Sequence, residues 1–254
     1  RFTYALDSKY FGEFNFGFNG SERFAKSERF GFFPSFGFGW YASNEDFFEP
    51  YQDIVTKLKF KGTYGLVGND QIGSSADRFF YISQVNLNNG PMGSMFGQEF
   101  SNWINGVSID RYANDQITWE KATMMNLGVE LGLFGKVDFQ ADYFTEYRSN
   151  ILMDRAQIPA TMGLQAPIRA NVGEASSKGF EFTIDYKDDL SSDLFVSARA
   201  NFSYATSKYE VYEELDYVTA GLPWRSRIGL NLSQPWGYIA ERLFIDDADI
   251  ANSP

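Results

Sequence analysis

Side chains alternate between apolar and polar along most of this chain. In residues 10–19, YFGEFNFGFN, Tyr10, Phe14, Phe16 and Phe18 share one parity, while Glu13, Asn15 and Asn19 share the other. The same two-residue period recurs in 33–41, 124–134, 137–147, 178–187 and 194–205. In KLKFKGTYG, residues 57–65, Lys57, Lys59 and Lys61 oppose Leu58, Phe60 and Tyr64. A period of two places alternate side chains on opposite faces of a β-strand. Strands are therefore predicted over these segments, with shorter ones at 1–6, 79–85 and 225–233.

Two features separate the pattern from a soluble sandwich. Soluble strands average about 5–6 residues, whereas several here run to roughly 10, the length a tilted strand needs to cross a bilayer. The polar face also carries charged and small residues in every long strand. The connections are unequal. Links 7–8, 134–136 and 188–193 are short, while 20–32, 66–120, 148–177 and 206–224 are long. Long and short alternate, so in an antiparallel sheet the long ones emerge at one end, as in outer-membrane barrels with long extracellular loops. Link 42–56 is the exception; it reads as a short capped helix starting near Ser43 or Asn44. The expected fold is all-β, the wall of an antiparallel transmembrane β-barrel. The charged parity would face a watery lumen and the Phe-rich parity lipid, because a lysine turned to lipid at midplane costs about 2–4 kcal/mol.

Composition sharpens this. Aromatic residues make up 18% of the 254 positions, with 26 Phe and 15 Tyr. The net charge of −11 argues against nucleic acid, whose phosphates need a basic patch. Cysteine and histidine are both absent, which excludes disulfides, Cys/His zinc sites and His-dependent triads. No apolar run approaches the roughly 18 residues of a transmembrane helix. The chain starts at Arg1, with no initiator Met or signal peptide, and is expected to be part of a longer precursor.

Candidate functional residues follow from placement. Lys57, Lys59, Asp142 and Arg199 would line the lumen. Trp103, Tyr112, Trp119 and Trp224, with Trp236, lie in or beside long loops, where aromatic faces stack on sugars or partners but also anchor at membrane boundaries. Carboxylate pairs such as Asp138 with Asp142, and Glu181 with Asp185, fit a hydrated wall better than glycoside hydrolysis, so no enzyme activity and no cofactor are expected. Asp246, Asp247 and Asp249 lack the spacing of an EF-hand loop; a solvated acidic loop is expected, and no metal site.

Residues 19–40, NGSERFAKSERFGFFPSFGFGW, resemble the SusC/RagA family of TonB-dependent outer-membrane transporters, with its D-G-S-S-R-F-like loop and R-x-G-x-F-P-S strand. Asn19 and Glu22 replace the family's Asp and Ser. KLKFKGTYGLVGN (57–69), TWEKATMMNLGVELGLF (118–134), NVGEASSKGFEF (171–182) and GYIAERLFIDDADIANSP (237–254) are similar to further family segments, in order. The resemblance implies part of a 22-stranded barrel, residues 1–254 being a partial barrel domain. The plug, the TonB-contacting box and the closing strands would lie elsewhere, with Pro254 an artificial end. It implies active import of an oligosaccharide or peptide, a SusD-like surface lipoprotein as lid, TonB as energy source, and a possible dimer of transporter–lid pairs. A passive porin or structural barrel, and a soluble glycan-binding β-sandwich, are the alternatives.

Overall fold

The structure, a computed structural model, describes residues 1–73, 77–240 and 242–253. Its strands are β1 (Phe2–Leu6), β2 (Tyr10–Gly20), β3 (Phe30–Tyr41), β4 (Val55–Asn69), β5 (Gln84–Phe96), β6 (Asn102–Arg111), β7 (Glu120–Leu133), β8 (Val137–Asp154), β9 (Arg169–Ser191) and β10 (Leu194–Val211). Eight form one antiparallel sheet in the order β1-β2-β3-β4-β7-β8-β9-β10; β5 and β6 pair separately as a hairpin. The sheet does not close on itself within the described residues.

Register keeps the two faces apart. Phe60, Val129, Ala141, Phe182 and Phe202 lie side by side on neighbouring strands. The adjacent row, Lys59, Glu130, Gln140, Thr183 and Asn201, occupies the opposite face. A one-residue slip in any pairing would exchange the faces of that strand, so the pattern excludes odd slips of register. Among the described residues no second layer covers the apolar face: Phe38 is 57% exposed and Phe36 56%. In water, such a face would be packed against another layer or would associate. On β10 the apolar parity runs from Leu194 to Tyr204, which at about 3.3 Å per residue and a tilt of about 40° gives a band roughly 25 Å tall. That height matches the hydrocarbon layer. No helix among the described residues is long and apolar enough to cross a membrane.

The links sort by end. At one end lie 7–9, 134–136 and 192–193, together with 42–54; at the other lie 21–29, 70–119, 155–168 and the chain after β10. Two of the tight turns carry both central residues at positive φ: Asp7 (50°) with Ser8 (53°), and Phe134 (55°) with Gly135 (68°). That geometry matches the twist of the flanking strands. At the same end the outer rows finish in Tyr10 and Trp40. Tyr10 Oη and Trp40 Nε1 donate to Glu45 Oε1 at 2.5 and 3.1 Å. Lys9 Nζ lies 3.2 Å from Glu45 and 3.0 Å from Asp46. The Tyr10 hydroxyl first, then the Trp40 indole and Lys9, hold the Glu45 carboxyl below its usual range. Asp46 and then Glu45 raise Lys9.

Several expectations need correction. The helix over 42–56 is two 3₁₀ segments, Ala42–Asn44 and Asp46–Tyr51, neither with a side-chain N-cap bond. Glu45 stays extended between them and Pro50 removes a donor, so no α-helix propagates. Residues 79–83 form a turn that buries Phe80 rather than a strand, and β5 begins only at Gln84. Segment 225–233 is not a strand; Gly229 has φ 79°, and a single parallel bridge, Tyr209 with Ile228, ties it to β10. The 66–120 link is not all loop, since it holds β5 and β6. Strands β8, β9 and β10 span 18, 23 and 18 residues, well past the alternating stretches. Their extensions stand above the apolar band, where both faces meet water and alternation vanishes. Pro254 and Glu241 lie outside the described residues.

Candidate functional site: the inner wall and its mouth

On the polar face, register assembles one charge network. Glu130 on β7 sits opposite Lys59, and its carboxylate meets Lys57 at 2.5 Å, Lys59 at 3.6 Å and Lys61 at 3.9 Å. Lys61 also pairs with Asp142 on β8 at 3.0 Å, and Gln140 donates to Asp142 at 2.8 Å. Between them on β7 stands Gly128, where a Cβ would collide with Asp142 and Lys61. The missing side chain lets the two charges meet across an intervening strand. Asp142 is only 6% exposed. Further along the face, Arg199 grips Asp185 in a two-pronged contact, Nε at 2.5 Å and Nη2 at 2.9 Å. A concavity of about 500 Å³ separates the two groups, bordered by Lys57, Glu130, Asp138, Glu181 and Arg199. The wall is thus hydrated and of mixed charge, with each principal cation neutralised. It offers hydrogen-bonding groups in abundance.

The structure unites Lys57, Lys59 and Asp142 in one network and places Arg199 across the concavity. The loop aromatics are not brought together. Trp119 belongs to the packed core at the long-loop end, with Phe24, Phe33, Ile72, Phe80 and Ile117. Its ring centre lies 5.3 Å from both Phe24 and Phe33, and its Nε1 donates to the Arg29 carbonyl at 3.2 Å. Walled in on these sides and 5% exposed, it has no free face for a ligand. Tyr112 accepts from the Gln165 amide at 3.2 Å, which ties the β6 exit to the 155–168 loop. Trp103 is half-exposed on the hairpin, donating to Asn105 at 2.9 Å, and Trp224 is exposed in a 3₁₀ turn.

Two adjoining concavities at the long-loop end form the mouth. They measure about 510 and 490 Å³ and share Asp154, Tyr212 and Glu213. Arg155 pairs with Glu213 and Arg169 with Asp154, both at 2.8 Å. The Arg227 guanidinium covers the Tyr212 ring at 5.2 Å and Arg225 the Tyr217 ring at 5.4 Å. Trp236 lines the larger of the two. Apart from Trp236 as a loop aromatic, and Arg225 and Arg227 in the stretch expected as a strand, these residues are not singled out in the sequence, because they stand beyond the apolar band; the run VYEELDY is the only local signal for Tyr212, Glu213 and Tyr217. Asp246 accepts from the Asp249 amide, and Asp249 is gripped by Arg242. No group of three or more carboxylates able to hold a metal occurs among the described residues.

Comparison with known proteins agrees with this architecture. TonB-dependent receptor P3 of Formosa agariphila is 29% identical over 82% of this chain and 20% of its own length. TonB-dependent receptor SusC of Bacteroides thetaiotaomicron is 30% identical over 76% of this chain and 18% of its own length. The chain thus spans about a fifth of these relatives. A solved structure of the RagAB peptide importer in its closed-closed state superimposes with a TM-score of 0.68 at 24% identity, covering 84% of this chain and 22% of that one; that likeness speaks to the fold alone. A family model, TonB dependent receptor-like, beta-barrel, matches residues 1–251. The apolar band is therefore the lipid-facing surface and the charged face the inner wall: the chain belongs to the TonB-dependent receptor β-barrel family, proteins of the bacterial outer membrane.

Proposed function

We propose that residues 1–254 are one partial barrel domain, the wall and external loops of a 22-stranded transporter that imports a bulky nutrient with energy supplied through TonB. The observation that carries this is the inner wall. A face of paired charges lies opposite a lipid-tall apolar band, with the two adjoining concavities at its long-loop end. Substrate would be captured at that mouth, against Tyr212, Tyr217 and Trp236, beneath a SusD-like surface lipoprotein. Tyr112, Trp103 and Trp224 are candidates for lid or substrate contact. Displacement of a plug would then open a path past Lys57, Lys59, Asp142 and Arg199. A dimer of such transporter–lid pairs is part of the same proposal.

A peptide is the first reading for the substrate. The mouth alternates carboxylates with guanidiniums, and the arginines over Tyr212 and Tyr217 occupy ring faces that a sugar would use. An oligosaccharide is the second, favoured by the exposed rings of Trp224 (66%) and Trp236 (52%). The test is uptake of fluorescent peptides and oligosaccharides by cells carrying the full-length gene, a deletion, or an intact gene without TonB. Energised import predicts that one substrate class is lost in both mutants. Uptake that persists without TonB would establish a passive pore instead.

A further inference from the structure

The lipid-facing surface is not uniform. In the row Phe60, Val129, Ala141, Phe182, the central side chains are small and the flanking ones large. They border a shallow trough of about 540 Å³, with Leu127 and Tyr143 on its long-loop side and Phe139 on the other. Nearer the long-loop end on the same face, the apolar parity stops at Tyr143, Phe180 and Tyr204, and the next row is Thr145, Lys178 and Thr206. Lys178 is exposed, and its side chain makes no hydrogen bond or ion pair among the described residues. The next lysine up, Lys208, is already paired with Glu210 at 3.1 Å. No carboxylate stands in the row of Lys178 or the row below it.

We propose that Lys178 and the trough together bind the lipid A anchor of lipopolysaccharide. The long-loop end faces the cell exterior, so Lys178 stands at the headgroup level of the outer leaflet. A lone ammonium flanked by two threonine hydroxyls, with the phenols of Tyr143 and Tyr204 just below, supplies donors to a phosphate; the carboxylates above it, Glu174 and Glu210, are already engaged by Tyr147, Ser176 and Lys208. From Lys178 to Phe182 along β9 is about 13 Å, so an acyl chain hanging from that phosphate reaches the trough. Its methylenes fill space that the flanking phenylalanines leave open, and restore the dispersion contacts an empty groove would forfeit.

The test is native mass spectrometry of the full-length transporter extracted from outer membranes, with barrel folding checked by its heat-dependent gel mobility. Unmutated protein should carry an adduct of lipid A mass. Lys178→Glu should reduce it at least about tenfold and, separately, Ala141→Phe should reduce it by filling the trough, while Lys187→Glu, on the inner face of the same strand, should leave it unchanged. Adduct retained in either folded variant overturns the proposal. So does an adduct of phospholipid mass in the unmutated protein, or a dimer with no adduct, which would assign the trough to a second copy of the barrel.

Discussion

Ile184 and Thr183 are neighbours on β9, yet arginine should have opposite fates at the two positions. Ile184 lies in the outer row with Phe139 and Ala200, inside the apolar band. Thr183 lies on the inner wall between Gln140 and Asn201, two residues from both Glu181 and Asp185, and borders the 500 Å³ concavity. Arginine on the lipid face near midplane costs about 2–4 kcal/mol, a factor of about 30 to 800 in the folding equilibrium. At Thr183 the guanidinium gains water and carboxylate neighbours, so the expected change is within about 0.5 kcal/mol. The assay is guanidinium titration of the full-length protein folded into lipid vesicles, followed by tryptophan emission. Ile184→Arg should lower the midpoint clearly and Thr183→Arg hardly at all. Equal loss at both positions, or a larger loss at Thr183, would refute the assignment of faces.

Three further outcomes are expected. Trp119→Ala should cost about 3–5 kcal/mol through the cavity left among Phe24, Phe33 and Ile117, seen as faster protease cleavage in 112–119; Trp119→Phe should recover much of it. Glu130→Gln removes the shared anion of Lys57, Lys59 and Lys61 and should destabilise by about 1–2 kcal/mol, less than for a fully buried pair because the lysines are partly hydrated; the same vesicle titration reads it. Glu45 is held below its ordinary value near 4.5 in the folded state. Its contribution is therefore fully present above that value and is lost as pH falls through the lower folded one. Acid unfolding should begin at higher pH in Glu45→Gln, which lacks that contribution throughout, and the two proteins should converge once Glu45 is protonated.

Much of the sheet was readable without coordinates. Wherever one face meets lipid and the other water, each residue's chemistry reports its face, so strands such as β2, β3, β7 and the lower halves of β8 to β10 stand out as alternation. The glycine and proline content of NLNNGPMGSMF hid β5, whose pairing with β6 is interrupted by register shifts. Above the band the same logic fails, because both faces of a strand are wet and NVGEASSK alternates nothing; the upper part of β9 was invisible for that reason. Tyr212 and Glu213 carry no alternation for the same reason, Arg227 sits in a stretch whose alternation predicts a strand it does not form, and nothing local marks Trp119 as core rather than loop aromatic.

What the chain determined by itself was parity. Each strand carries its own division between lipid and water, and the strong preference of charge for water makes that division a local property. What needed the tertiary structure was adjacency. That Gly128 opens a passage for Lys61 to reach Asp142, that Trp119 meets Phe24 and Phe33, and that a free lysine crowns an acyl-sized trough all depend on the register between strands distant in sequence. Register is set by the whole sheet settling at once, and no single segment contains it.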